Sequence, residues 1–343
     1  MTLLVRDEVD ILESQIAFHL NAGVDFVVVT DHGSVDGTAE VLERFASLGV
    51  LHVIRESGRE YRQAEWVTRM ARQAASEFGA DWVINADADE FWWPRGRNLK
   101  EVLAAIPARF DVVRGFWRHF VPRPDDGRSF AERMTVRCRT EPTLRPFNAQ
   151  VKVAHRASPA VVVAGGNHDV TGPSNPLRTW YPFEVLHFPM RSFEQARRKY
   201  RVAAEASQLD PERVPRRPFV VRAAEAESRG AFPSLYDEVL VGDERLARGL
   251  AQGELALDTR VRDVLRRIDA VGLRDVLRGR AKPVELPPVE TDELYVHDLG
   301  VATEFDALER VLVRTEILDR RLRQAEQVRS ERLVYRLARA LHR

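Results

Sequence analysis

The chain has 343 residues, enough for one large domain with an appendage or for two small domains. Its 52 basic and 52 acidic residues cancel, so no global field draws it to nucleic acid. The single Cys138 excludes an internal disulfide framework, and no apolar run reaches the length of a membrane span.

The first seven residues are too short for a signal peptide, so the expected setting is the cytoplasm, with at most peripheral contact at the inner face of the membrane. The basic side is almost all Arg: the lysines are Lys100, Lys152, Lys199 and Lys282.

Residues 2–5 read as a short apolar strand. Ile11, Leu12, Ile16 and Leu20 recur at helical spacing, and Asn21-Ala22-Gly23 ends that helix. A second strand is predicted over 26–29, ending at Thr30-Asp31. Asp36-Gly37-Thr38 opens a helix carrying Val41, Leu42 and Phe45. A third strand follows over 51–54, then a long helix over 61–78 with Trp66, Met70 and Ala74 on one face, then a fourth strand over 81–84. Strands separated by helices of this length predict a parallel sheet with right-handed crossovers. From Asp111 the pattern turns to β segments at 112–117, 134–137, 150–154, 160–164 and 184–188. Ser192 caps a basic helix running through Arg201. The stretch 210–290 is mixed and mainly helical. From Glu304, Leu308, Val311, Leu312, Thr315, Leu318 and Leu322 fall near heptad spacing.

The most informative stretch runs from Trp82 to Trp92. Its apolar strand stops at Asn85, and Asp87, Asp89 and Glu90 follow. Two aspartates one residue apart at a strand end point to one side. They repel unless a cation lies between them, and a hard divalent ion keeps positions open for phosphate oxygens. Ligands of such sheets bind beyond the carboxyl ends of the strands. Arg6-Asp7-Glu8 and Asp31-His32 fall at two further ends.

These pieces add up to a pattern: Leu4-Val5-Arg6-Asp7-Glu8, Phe18 to Asp25, Thr30 to Thr38, Asn85 to Phe91, and Leu186-His187-Phe188 with Arg191 to Gln195 and Lys199. In their order and spacing, residues 1 to about 200 resemble the family 2-like glycosyltransferases of GT-A fold. One departure is Asp7, where many relatives carry Asn before Glu8. The resemblance implies an α/β GT-A fold, a Rossmann-like mixed sheet flanked by helices, with a helical C-terminal extension. The expected division is a catalytic domain over 1–205, a mainly helical extension over 206–290 and an amphipathic helix over 291–343.

The resemblance also implies a nucleotide-sugar donor, a glycan or lipid-linked acceptor, Mn²⁺ or Mg²⁺, and transfer with inversion. Asp89 is then a metal ligand, Asp87 is shared between metal and ribose, and His187 is a third ligand, since a neutral imidazole suits Mn²⁺. Asp169, after a Gly-Gly pair, is the preferred general base, with Glu184 as runner-up. Arg6, Glu8, Asp31, Gln63, Arg69, Asp87 and Lys152 are the candidate donor contacts; Lys152 stands out because Lys is so rare. Trp92, Trp93 and His168 are the candidates on the acceptor side, and Trp117 is another ring that can stack on a sugar. His168 is alternatively a metal ligand.

Each has a plainer reading. Asp31 suits a turn before Gly33; Ser34, Asp36 and Gly37 read as cap and turn residues. Glu90 can form a salt bridge or cap. The tryptophans can be core, and each Arg a solvated surface group. His119, His155 and Cys138 look unremarkable.

Two rivals stand beside the transferase. A metal-dependent nucleotidyltransferase would share the sheet and acids but normally carries a Gly- and Arg/Lys-rich loop after the first strand, which Arg6-Asp7-Glu8 does not resemble. A non-catalytic glycan-binding protein needs no paired acids. The C-terminal stretch interleaves Arg320, Arg329, Arg336 and Arg343 with Leu333, Leu337 and Leu341. It is expected to dimerise or pack on the chain, ahead of touching an anionic membrane.

Overall fold

The computed structural model describes residues 1–58, 60–139, 150–173, 175–178, 180–209 and 218–289. The C-terminal helix expected over 291–343 lies outside the described residues.

The first half alternates as the sequence predicts: β1 (Thr2–Val5), α1 (Val9–Asn21), β2 (Val27–Asp31), α2 (Thr38–Ala46), β3 (Leu51–Arg55), α3 (Gln63–Ser76) and β4 (Trp82–Asp87). The β1, β2 and β4 strands are short, apolar and largely buried, the form a parallel sheet requires, while the edge strand β3 leaves His52 and Arg55 exposed. Then come β5 (Glu90–Pro94), α4 (Leu99–Ala105), β6 (Val112–His119), α5 (Phe130–Arg133), β7 (Val136–Cys138) and β8 (Val151–Arg156). The short β9 (Val162–Val163) and β10 (Val170–Thr171) flank a turn at Gly165–Asn167, followed by β11 (Phe183–His187) and α6 (Phe193–Leu209). Last are α7 (Pro218–Ser228), α8 (Phe232–Val239), α9 (Asp243–Ala251), β12 (Leu255–Leu257), α10 (Arg260–Val271) and α11 (Leu273–Leu277).

Eight strands form one mixed sheet in the order β3-β2-β1-β4-β8-β6-β11-β5. The β3, β2, β1 and β4 strands are parallel, as predicted; β8 runs antiparallel to β4 and β6, β11 is parallel to β6, and β5 is antiparallel to β11. The β5 strand is not in the sequence reading. It begins at Glu90, after a two-residue turn at Ala88-Asp89 that ends β4, and its partner β11 lies some ninety residues on.

Register fixes which side chains share a face, because alternate residues of a strand point to opposite sides. The β11 and β6 strands pair His187 with His119 and Val185 with Trp117, while β5 places Glu90 beside His187. These residues share one face. Glu184, Arg118 and Trp93 lie on the other. Gly115 is where β6 meets β11 most closely: a Cβ there would lie 2.7 Å from Val185 Cγ2 and 3.3 Å from Phe183 Cβ.

The later helices pack onto this sheet. Val261, Val264, Leu265 and Ile268 of α10 join the same apolar cluster as Ile11, Leu12 and Phe18 of α1. Val284, Leu286 and Val289 join it too. Asn21 holds that last segment with both ends of its amide: Nδ2 donates to Val284 O at 2.9 Å and Oδ1 accepts from Val284 N at 2.7 Å. Trp93 Nε1 donates to Pro287 O at 3.2 Å. Among the described residues, no helix is long and apolar enough to cross a membrane.

Candidate active site

Asp87 is the last residue of β4 and Asp89 lies in the turn before β5, and the two acids take different partners. Asp87 Oδ2 accepts from Lys152 Nζ at 2.5 Å and its Oδ1 from Asn167 Nδ2 at 3.0 Å. Asp89 Oδ2 instead accepts from Lys199 Nζ at 2.5 Å and lies 3.4 Å from His187 Nε2. Of the expected ligands Asp87, Asp89 and His187, the structure therefore brings two together. Among the described residues, no group of three or more His, Cys, Asp or Glu side chains is placed to hold a metal ion.

The Asp89 carboxylate is only 4% exposed. Burial alone would push it up, but Lys199 and His187 beside it hold it well below the usual carboxylate range. Burial lowers His187, against the pull of Asp89. Burial also opposes the charge on Lys199, yet Asp89 and Glu8 outweigh it and raise that ammonium. His187 lies flat on Trp117, ring centroids 4.4 Å apart, and its Nδ1 shares a hydrogen bond with His119 Nδ1 at 2.9 Å. With its proton moved to Nδ1, against His119, His187 Nε2 would present the lone pair that ligates a cation.

A second ion cluster sits beside the first. Lys152, buried under the sheet's acids, also reaches Glu90 at 2.9 Å and lies 4.9 Å over the Trp117 ring. Glu90 accepts further from Asp87 N at 3.1 Å and Trp117 Nε1 at 2.8 Å. Burial pushes the Glu90 carboxyl up, to about 8, against the pull of Lys152, while Asp87 and Glu90 overcome burial to hold Lys152 charged. Glu90 thus fastens the Asp87 backbone to β6, the salt-bridge reading of this acid.

The β1 end is tied to the same place. Arg191, 1% exposed, donates to Glu8 Oε2, to Asp10 Oδ2 at 2.7 Å and to Phe188 O at 3.2 Å. Burial pushes Glu8 up to about 7, against the pull of Arg191. Asp7 and Asn167 are the two non-glycine residues with positive φ among the described residues, at 56° and 59°. Such strain collects at functional sites, where surrounding contacts hold it. Asp7 Oδ1 accepts from Val35 N, and Ser34 Oγ accepts from Asp7 N, locking the β1 and β2 loops together.

Other candidates are placed as follows. Asp31 Oδ1 accepts from Ser34 N and Oγ, and Asp36 Oδ1 from Thr38 N and Oγ1, the turn and cap geometry. Arg6 stands at the end of β1 with Nε buried. Gln63 Oε1 accepts from Gly166 N at 3.1 Å, and Arg69 pairs with Glu56 at 2.6 Å. Arg69, Trp66 and Arg62 line a cavity of about 580 Å³ with Glu56, Ser57 and Gly58, beyond the carboxyl end of β3. His168 Nδ1 bonds Val151 O, and its ring meets Trp117 edge-on. Asp169 is exposed, two residues from Asn167, and its Oδ1 accepts only from its neighbour Val170 N among the hydrogen bonds found.

Three candidates are corrected. Glu184 is fully buried on the face away from His187, where Arg118 Nε (2.8 Å), Arg260 (2.8 Å) and Arg95 (3.4 Å) surround it. Burial works against its charge, but these arginines hold it at about 2, so it is neither reachable nor basic enough to serve as the general base. Trp92 and Trp93 are also fully buried and cannot stack on an acceptor sugar: Trp92 packs on Phe183, and Trp93 lies under Arg260 and against Phe18. Sequence reasoning passed over His119 and Asn167 and left Lys199 and Arg191 without roles. Strand parity against His187 would have pointed to His119, and the scarcity of Lys to Lys199.

Two protein ligands, a carboxylate and a neutral imidazole, fit a divalent cation that takes its remaining ligands from a substrate's phosphates and from water. A mixed sheet of this order, flanked by helices and with acids at the β4 end, is a GT-A-like α/β arrangement. Residues 12–158 match the model of the family described as Glycosyl transferase family 2.

Among solved structures, S. aureus TarS 1-349 is 13% identical over 79% of this chain and 90% of that one, with a TM-score of 0.32. The same protein in complex with UDP is 12% identical over 86% and 98%, also at 0.32. A 4-diphosphocytidyl-2C-methyl-D-erythritol synthase is 17% identical over 46% and 72%, at 0.26. No curated protein matches the chain.

Proposed function

We propose that this chain moves a sugar from a nucleotide-sugar donor to an acceptor hydroxyl with inversion, in the synthesis of a glycan or cell-envelope polysaccharide. The observation that carries the reading is the Asp89–His187 pair at the β4 end, flanked by Lys199 and Lys152. Such a pair suits the diphosphate of a donor whose nucleoside lies over the carboxyl ends of β1 to β3.

Asp89 and His187 hold Mn²⁺ or Mg²⁺ in this reading, and Lys199 faces the same oxygens. When bound, the cation offsets negative charge on the departing nucleoside diphosphate. Asp87, oriented by Lys152 and Asn167, accepts from the ribose. Asp169 takes the proton from the acceptor hydroxyl. The acceptor oxygen then bonds to the anomeric carbon as that carbon's bond to the diphosphate oxygen breaks, from the opposite face. Arg6, Asp31, Gln63 and Arg69 flank the nucleoside side, and His168 and Trp117 border the acceptor side.

Incubation with Mn²⁺ and a panel of nucleotide sugars, followed by nucleoside diphosphate release, tests the reading. Absence of turnover and of thermal stabilisation with every donor overturns it. Asp169→Asn should lower kcat by about 10²- to 10⁴-fold with nucleotide affinity unchanged, as removal of a general base does. A variant with wild-type kcat removes Asp169 from this role.

A further inference from the structure

Asp89 already carries a cation in this structure. The Lys199 ammonium donates to Asp89 Oδ2 at 2.5 Å, and that oxygen also faces His187 Nε2 at 3.4 Å. A divalent ion held between His187 Nε2 and the Asp89 oxygen nearest it would need that same Oδ2. Ammonium and metal would then share one carboxylate oxygen, two positive groups within a few ångströms in a buried setting. Each then weakens the other's hold on it.

The two lysines at the acids differ in their freedom to leave. Lys152 is 1% exposed and bridges Asp87 and Glu90. Lys199 is 37% exposed, projects from α6, and has as its other hydrogen-bond partner Pro189 O at 3.4 Å. Arg191, not Lys199, provides the contact that fastens Glu8. Lys199 can therefore swing without unfastening β1 or β6, whereas Lys152 cannot.

We propose that Lys199 is a placeholder: it neutralises Asp89 in the free protein and passes to the donor's diphosphate when a divalent cation takes Asp89 Oδ2. This rests on the reading that Asp89 and His187 hold the cation of a diphosphate donor. Metal and nucleotide then enter as a coupled pair. The cation alone meets an occupied oxygen, whereas nucleotide offers Lys199 a new anion and so vacates the site. Coupling of this kind is reciprocal, each ligand tightening the other by one factor.

The test follows free Mn²⁺ by its electron paramagnetic resonance signal, titrated into the full chain alone and with UDP, GDP, ADP or TDP. In the wild type, the nucleotide that binds should tighten Mn²⁺ by about tenfold or more. Lys199→Met should bind Mn²⁺ alone about tenfold more tightly than the wild type, and the nucleotide's tightening should shrink by about the same factor, leaving what its phosphates add as ligands. Lys199→Gln, matched to the wild type by thermal melting, should behave alike. Wild-type affinity for Mn²⁺ alone in both variants, or wild-type coupling in both, overturns the proposal. Failure of the underlying reading looks different: Asp89→Asn would leave Mn²⁺ binding in the presence of nucleotide unchanged.

Discussion

Asp89→Asn should lower kcat/KM for nucleotide-sugar turnover by about 10³-fold, some 4 kcal/mol of transition-state stabilisation, and remove metal-linked donor binding. The substitution keeps the shape of a side chain that is 4% exposed and takes away only its charge. That charge is what Lys199 and His187 face. The asparagine still offers an oxygen but no anion, so a divalent cation loses its one charged protein ligand. Donor titrations with and without Mn²⁺, alongside thermal melting, read the effect. Unchanged donor affinity in a folded variant would mean that the cation sits elsewhere.

Glu184→Gln should destabilise the fold by about 3 kcal/mol or more, because it leaves buried guanidinium groups without their anion. Arg118, Arg95 and Arg260 all converge on this one carboxylate, and Arg260 is shared with Asp258. The pH dependence has a definite sign. The folded-state value, about 2, lies below the ordinary 4.5, so the ionised form is the one the fold favours. Its contribution is complete above about pH 4.5, declines as pH falls towards 2, and amounts to roughly 3 kcal/mol. Urea unfolding of wild type and variant at neutral pH and across this acid window measures both effects. A variant as stable as the wild type but unable to turn over would return Glu184 to the catalytic centre.

Much of the fold was legible because β1 to β4 and their helices are local: each strand is an apolar run, each helix has its own period, and the parallel order follows from crossover length. The remaining four sheet strands pair over long sequence distances. Nothing in the run Glu90 to Pro94 announces that it will lie against Phe183 to His187. That pairing decides the fate of Trp92 and Trp93, whose position just after the acids invited a sugar-stacking role. In the site, Asp89 and His187 were legible as residue types suited to a cation. Glu184 was chosen for its carboxylate, yet three residues before His187 on a strand places it on the opposite face. Asn167 was beyond reach, because its contact with Asp87 depends on a backbone at φ 59°.

The amide of Asn21 bonded at both ends to Val284 bears on how this transferase can be inherited or rebuilt. The sheet that carries the chemistry borrows part of its outer wall from a segment more than a hundred residues past the stretch that matches the family. Trp93 and Pro287 tie the two together a second time. The chemistry is therefore not portable as the matched stretch alone. A chimera that exchanges the later helices for those of a relative must bring along a partner for Asn21 and a cover for Trp93, so drift in the two halves is bound together.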